Sequence, residues 1–367
     1  MPPAVAAFTD TYLPTVNGVT YTVQSWRDRW ERRGGRMHLV YPASSHEPSG
    51  DEHPVRSLTF PFYKEFNAGL PRVPSGLDGV DIVHAHTPFT LGLAARRLAR
   101  RRDLPLVASY HTPTAEYADY LTSGPLARTI ERVAGRYEQW YLNRVDAVVV
   151  PSDPTREHLR ELGIDTTVEI VPNGVDTDRF GPVGEAEQDA FRERHDLPDG
   201  PLVGYTGRHG YEKALDAILD VAPALDATVV FGGDGPARET LEARAADLDA
   251  DVRFLGFLDR AELPTFYATL DVFAFPSPVE TQGLVALEAN VCGTPVVGVD
   301  AGALAETIAD GETGYHYERG DTEGFRAGIE QALAERERLR ERCLDRRDDV
   351  AMKRAVDALA DVYRAVV

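Results

Sequence analysis

Two segments hold side chains whose types and spacing could handle a sugar carried on a diphosphate. The first runs Phe275-Pro276-Ser277-Pro278-Val279-Glu280-Thr281-Gln282-Gly283-Leu284-Val285 and on to Glu288. It follows an apolar run and leads into a helical one that opens near Gly283. A helix start presents unpaired amides and the positive end of the peptide dipoles, which suits a diphosphate. Gly283, with Leu284 and Val285 after it, would let a phosphate approach the backbone. Glu280 and Glu288 are eight residues apart, at most about 12 Å along a helix. That is the reach of a sugar, two phosphates and a ribose. One carboxylate could then take hydroxyls of the sugar and the other those of the ribose. The alternative is a pair of surface acids in an acid-rich chain. The preceding strand, Gly283 and the new strand that begins in the run 292–297 argue against it.

The second segment, 204–216, also leaves an apolar run and enters a helix. It carries Gly207, Arg208 and Lys213. Arg208 and Lys213 are five residues apart across a turn, so both can point into one anion site. Lys213 is one of three lysines, with Lys64 and Lys353, and a point charge there would serve a phosphate. The alternative is an Arg and a Lys that simply face water.

The elements that must position these loops are legible as alternating patterns. Apolar runs at 4–8, 37–41, 82–85, 106–110 and 147–150 predict buried strands, with amphipathic helices at 19–33 and 89–102 between them. The pattern restarts at 202–206, 228–231, 252–254, 272–275 and 295–299. Such alternation predicts parallel sheets covered on both faces. Two series, split near Val171-Pro172-Asn173-Gly174-Val175-Asp176, predict two doubly wound, Rossmann-like α/β domains. Ligands on such sheets lie beyond the carboxyl ends of the strands, so a cleft between the domains is expected. The boundaries expected are 1–172 and 173–349, with a terminal helix at about 350–367 packing back on the first domain. Asp176-Thr177-Asp178 has the look of a metal-binding pair but falls in the hinge, and no metal is expected there.

Composition bounds what such a protein can be. With 367 residues and 43% hydrophobic residues, two domains with real cores are affordable. Two cysteines, Cys292 and Cys343, exclude a disulfide scaffold. Acidic residues number 59 against 39 Lys plus Arg, a net charge of −20. That disfavours a nucleic-acid partner, and with so few lysines it predicts a protein adapted to high salt. The charge is uneven: residues 1–150 carry 17 basic and 15 acidic groups, residues 151–367 carry 22 and 44. The first half is spared the acidic bias, which points to an anionic partner there. No run of 18 apolar residues exists, and the start lacks the pattern of a secretory leader, so the cytoplasm is the expected location.

The motifs together resemble a retaining glycosyltransferase of family 4, with the GT-B fold. Gly207-Arg208 with Glu212-Lys213, and Glu280 with Glu288, match its donor-site elements in order. Residues 8–19, with Asn17 and Gly18, resemble its N-terminal glycine loop. Asp81-Ile82-Val83-His84-Ala85-His86-Thr87, Ser109-Tyr110-His111-Thr112-Pro113 and residues 171–176 follow its pattern too. The resemblance spans nearly the whole chain. It is nearest to enzymes that glycosylate diacylglycerol-type lipids and to related phosphatidylinositol-type mannosyltransferases. His209 and Asn290 depart from the family pattern, which bears on sugar or base preference.

The resemblance implies roles. Arg208 and Lys213 would neutralise the leaving nucleoside diphosphate, in place of a metal or other cofactor. Asn17 and Gly18 would close over the phosphates. Glu280 would hold the hexose, Glu288 the ribose, and His111 would lie near the reacting carbon, with His84 and His86 structural. Configuration would be retained by front-face attack, with the leaving phosphate taking the acceptor's proton. The acid–base pairing of glycoside hydrolases does not apply to Glu280 and Glu288.

For the acceptor, Arg27, Arg29, Arg32 and Arg33 fall with Trp26 and Trp30 on one segment. Arg96, Arg97, Arg100, Arg101 and Arg102 form another, and 60–66 reads as an exposed aromatic loop. Arg with aromatics suits an anionic membrane surface, so a lipid or lipid-phosphate acceptor met peripherally at the membrane is expected. The competing readings are a soluble transferase that builds a disaccharide or polysaccharide, a nucleotide-sugar epimerase of the same fold, and a non-catalytic binder of sugar nucleotides.

Overall fold

A computed structural model describes residues 2–59, 67–111 and 125–367. The chain divides into two units, Met1–Gly174 with Met352–Val367, and Val175–Ala351.

In the first unit, runs such as Ala-Val-Ala-Ala-Phe put small and branched side chains on both faces of a strand, so both faces must be covered. Seven parallel strands form the sheet, in the order β3-β2-β1-β6-β7-β8-β9. They are β1 Ala4–Phe8, β2 Arg36–Pro42, β3 Glu52–Val55, β6 Ile82–Ala85, β7 Leu106–Ser109, β8 Ala147–Val150 and β9 Val168–Ile170. A separate antiparallel pair is made by β4 Ser57–Thr59 and β5 Asn67–Gly69. Side chains alternate between two cores, as the period of two requires. Ala6, Phe8, Val83, Ala108 and Val148 meet Leu91, Leu98 and Tyr141 of the helices Thr90–Arg102 and Pro125–Leu142. Val5, Ala7, Ile82, Val107 and Val149 meet Trp26, Trp30, Leu359 and Tyr363 of the helices Gly18–Arg32 and Met352–Val366.

That second core corrects one expectation. Trp26 and Trp30 are each 1% exposed, and their indole N–H groups donate to the carbonyls of Asn173 and Pro3. They are core residues and present nothing to a membrane. Arg27 on the same helix pairs with Glu52 at 2.7 Å and Glu31 at 3.0 Å, and Arg33 pairs with Asp357. The aromatic stretch 60–66 lies outside the described residues.

The second unit is a six-stranded parallel sheet in the order β12-β11-β10-β13-β14-β15. Its strands are β10 Leu202–Thr206, β11 Thr228–Gly232, β12 Val252–Gly256, β13 Val272–Phe275, β14 Val296–Val299 and β15 Gly314–Tyr317. One core, with Phe231, Phe266, Phe273 and Ile329 inside it, lies on the sheet. In both units the chain runs outward from one central strand and then starts again beside it. The order therefore reverses between β1 and β6, and between β10 and β13. Loops that leave two diverging neighbours open a crevice at their carboxyl ends, where ligands of such sheets bind. No helix among the described residues is long and apolar enough to cross a membrane.

Candidate active site

The two loops singled out from the sequence leave β10 and β13, the strands flanking the reversal in the second unit. After β10 the chain turns at Gly207, whose φ of +141° suits glycine. A Cβ there would stand 2.9 Å from the Tyr205 hydroxyl, so the turn lies tight against the strand it leaves. Arg208 follows, its guanidinium 2.5 Å from a carboxylate oxygen of Glu212. A short helical turn, Tyr211–Lys213, then carries Lys213. The Lys213 ammonium donates to Glu280 Oε1 at 2.8 Å, across 67 residues of sequence. Both side chains are mostly covered, 17% and 15% exposed, so the pair has lost much of its solvent screening.

After β13 the loop reaches Gly283, which has φ of +74° and precedes the helix Leu284–Val291. A Cβ at Gly283 would meet Leu304 Cδ2 at 2.6 Å and Phe275 at 3.2 Å. Thr307 donates its hydroxyl to the Gln282 carbonyl, so the short helix Leu304–Thr307 braces the loop from behind. The first hydrogen bond inside the helix runs from the Ala286 amide to the Gly283 carbonyl, 2.9 Å. The amides of Leu284 and Val285, both half-buried, precede that bond and have no helical acceptor.

Glu288 lies deeper, 5% exposed, and accepts a hydrogen bond from the Tyr267 hydroxyl at 3.0 Å. Burial pushes its carboxyl up to about 7, and the charge of Arg260 and the Tyr267 hydrogen bond only partly oppose the shift. Tyr205 ties the residues together. Burial raises its phenol first, and then the negative charges of Glu280 and Glu212 raise it further, against Arg208. Tyr267 in turn feels Glu288 and Tyr205. Arg208, Glu212, Lys213, Glu280 and Glu288 thus belong to one electrostatic neighbourhood at the head of β10 and β13.

Glu212, which stands beside Lys213 in the donor-site motif, countercharges Arg208 across a spacing of four. Sequence reasoning missed three participants. Tyr205, Tyr267 and Arg260 carried no signal, because their partners are remote in the chain. The two departures from the family pattern are internal. His209 is fully buried with Nε2 3.1 Å from the Gly232 carbonyl. Asn290 donates to the carbonyls of Thr294 and Thr313, at 3.0 and 3.1 Å, and fastens the helix end to the sheet. Asp176 and Asp178 sit in a turn closed by bonds to the Asp176 carbonyl and carboxylate.

The remaining candidates belong to the first unit, in the segments that follow β1 and β7. Asn17 caps the helix Gly18–Arg32 through the Thr20 amide at 2.9 Å and donates to the Thr11 hydroxyl at 2.9 Å. Gly18 has open space where a Cβ would be. His111 follows β7, its Nε2 3.1 Å from His86 Nδ1, and burial pulls its imidazole down to about 4. His84 is buried and engaged at both ring nitrogens, by Tyr363 and Ser109.

Two family profiles match the chain: Glycosyltransferase Family 4 over residues 16–179, and Glycosyl transferases group 1 over residues 187–346. A GDP-mannose-dependent alpha-mannosyltransferase of Mycolicibacterium smegmatis is 31% identical, over 91% of this chain and 90% of its own length. An alpha-monoglucosyldiacylglycerol synthase of Streptococcus pneumoniae is 28% identical over 83% of this chain and 73% of its own. The sulfoquinovosyl transferase SQD2 of Arabidopsis thaliana is 33% identical over 77% of this chain, and this chain spans only 56% of that protein. Among solved structures, a sucrose-phosphate synthase of Thermosynechococcus elongatus superposes with a TM-score of 0.80 at 20% identity, covering 99% of this chain and 98% of the other. Anabaena HepE, solved with UDP, gives 0.79 at 16% identity, covering 99% and 100%. These likenesses establish the fold as GT-B.

Proposed function

Because the chain belongs to glycosyltransferase family 4, we propose that it moves a hexose from a UDP- or GDP-sugar to a lipid or lipid-phosphate-linked acceptor, with retention of configuration. The observation that carries this reading is the Lys213–Glu280 pair, which joins the two loops at the head of the reversal in the second unit. An ammonium and a carboxylate held together and mostly covered are ready to part onto a ligand that is anionic at one end and hydroxylated at the other.

In this reading Lys213 and Arg208 leave Glu280 and Glu212 for the diphosphate. Their charge stabilises the leaving group as the glycosidic bond to phosphate breaks. The amides of Gly283, Leu284 and Val285 take a phosphate oxygen. Glu280 accepts hydroxyls of the hexose, and Glu288 those of the ribose. The family pattern gives Asn17 and Gly18 to the phosphates and His111 to the reacting carbon. The acceptor hydroxyl attacks on the face the diphosphate leaves, and the departing phosphate oxygen takes its proton. No protein nucleophile and no metal are needed.

A lipid acceptor is supported by what one relative, the alpha-monoglucosyldiacylglycerol synthase, is named for, and by one face of the first unit. Arg97 and Arg100 are exposed on Thr90–Arg102. Trp140 is 37% exposed, with the guanidiniums of Arg96 and Arg144 at 4.9 and 5.0 Å from its ring. Arg with an interfacial Trp suits anionic headgroups.

The test is a donor assay. Release of UDP or GDP is expected to be slow alone and faster with the right acceptor, and unaffected by a chelator. Lys213→Ala and Glu280→Ala should each lower turnover by roughly 10²-fold or more while thermal melting stays near wild type. Near-normal rates in both would refute the site. Acceleration by a water-soluble acceptor alone, with none by lipids, would favour the soluble transferase.

A further inference from the structure

At the carboxyl ends of β6 and β7 three imidazoles stand in file. His84 and His86 stack with ring centroids 4.2 Å apart and planes 24° apart. His86 and His111 stack at 5.4 Å and 11°. The Trp26 ring lies alongside all three, with centroids 6.1, 5.9 and 6.3 Å away. Residues 84 and 86 share a face because strand side chains repeat every two residues. β7 pairs with β6 in register His84↔Val107 and Ala85↔Ala108, which carries His111 to the same end.

The file has two ends with different duties. His84 is anchored, with Nδ1 2.6 Å from the Tyr363 hydroxyl and Nε2 2.8 Å from the Ser109 hydroxyl. His86, 2% exposed, has its ring bond to His111, Nδ1 to Nε2 at 3.1 Å. Burial holds both rings neutral at ordinary pH: His86 is pushed well below its usual range, and His111 to about 4. A hydrogen bond between two neutral imidazoles holds a single proton. One ring must donate and the other accept, and that choice sets which nitrogen of His111 carries hydrogen. Neutrality also matters for the chemistry. Positive charge grows on the anomeric carbon as the leaving group departs, and an imidazolium beside it would oppose that charge.

We propose that His86 is a positioning residue for glycosyl transfer: it fixes the tautomer and ring orientation of a neutral His111, so that His111 offers the substrate one defined hydrogen-bonding atom, Nδ1. The proposal rests on the reading of His111 as the imidazole nearest the reacting carbon. It is the arrangement by which a carbonyl or carboxylate behind a metal-bound histidine sets its tautomer, with a second histidine in that place.

Three variants test it. His86→Leu removes the bond, His86→Asn keeps an amide group where Nδ1 stands, and His86→Gln moves that group to the place of Nε2. With nitrogen-15 labelled histidine, His111 is expected to show a single tautomer in the wild type and a mixture in His86→Leu. An unchanged His111 signal in His86→Leu overturns the proposal, whether or not an acceptor has been found. In the donor assay, kcat should fall roughly ten- to a hundred-fold in His86→Leu and His86→Gln with the donor KM within about two-fold, and His86→Asn should recover most of it. Equal loss in all three variants, tracking lowered melting temperatures, would make His86 a packing residue and overturn it too. Loss of activity in Lys213→Ala with none in His86→Leu would spare the donor site and sink this inference alone.

Discussion

Glu288 is the residue whose environment departs most from what its place in the sequence suggested. It was expected to wait at a ligand as a carboxylate. Instead it is enclosed, bonded to Tyr267, with its carboxyl pushed up to about 7 from the usual 4.5. The sign of the consequence follows. Below about 4.5 the acid is neutral folded and unfolded, and costs nothing. Between about 4.5 and 7 the unfolded chain has lost the proton and the folded chain keeps it, so stability falls as pH rises, and the loss is complete above about 7. A ribose diol that donates to this carboxylate favours the ionised form and should expel the proton. Titration calorimetry of nucleoside diphosphate binding, in buffers of different ionisation enthalpy between pH 5.5 and 7, is therefore expected to show proton release. The diphosphate's own ionisation near pH 6 contributes equally to wild type and Glu288→Gln, so the difference isolates the residue. Equal release from both proteins would mean the ribose does not meet Glu288.

At the scale of elements, two glycines make opposite predictions although both belong to the proposed donor site. Gly283 has φ of +74°, and a side chain there would run into Leu304 at 2.6 Å. Gly283→Ala should lower stability by about 1–3 kcal/mol and raise the donor KM, since the helix start must shift. Gly18 has open space and an ordinary φ, so Gly18→Ala should melt as wild type does. Any loss of donor affinity in it then reports contact with ligand, and unchanged affinity removes Gly18 from the site. The contrast shows where sequence reading works. The loops after β10 and β13 were legible because glycine, charge and a strand-to-helix change coincide there. Ten of the parallel strands, nine central and the edge strand β12, were legible as apolar runs. β3, Glu-His-Pro-Val, was not, because an edge strand tolerates proline and needs no apolar run. The side chain of its Glu52 is nonetheless only 4% exposed, bonded to Arg27, Tyr41 and His46. Trp26 and Trp30 were misread for the converse reason. The arginines sharing their helix suggested a surface, while burial is decided by which face meets the sheet.

At the scale of the molecule, two electrostatic features respond oppositely to salt. The chain carries −20 overall, and residues 151–367 hold 44 acids against 22 basic groups. Like charges at that density repel, and added salt screens them. Melting temperature should therefore climb from low to molar KCl, and a flat profile would remove the reading of a high-salt protein. The basic face around Trp140 behaves the other way. On the proposed lipid acceptor, Arg96, Arg97, Arg100 and Arg144 would draw anionic lipid over a screening length of about 8 Å at physiological salt and about 3 Å at 1 M. If lipid attachment were purely electrostatic, the salt that favours the fold would abolish it. Attachment under those conditions would then rest on apolar contact, for which Trp140, 37% exposed between two guanidiniums, is a candidate. Flotation with anionic vesicles is expected to weaken steeply from 0.1 to 1 M KCl and to level off above zero. Trp140→Ala should remove the salt-resistant remainder and leave most of the low-salt binding. Vesicles that fail to carry the protein at any salt would return the acceptor to solution.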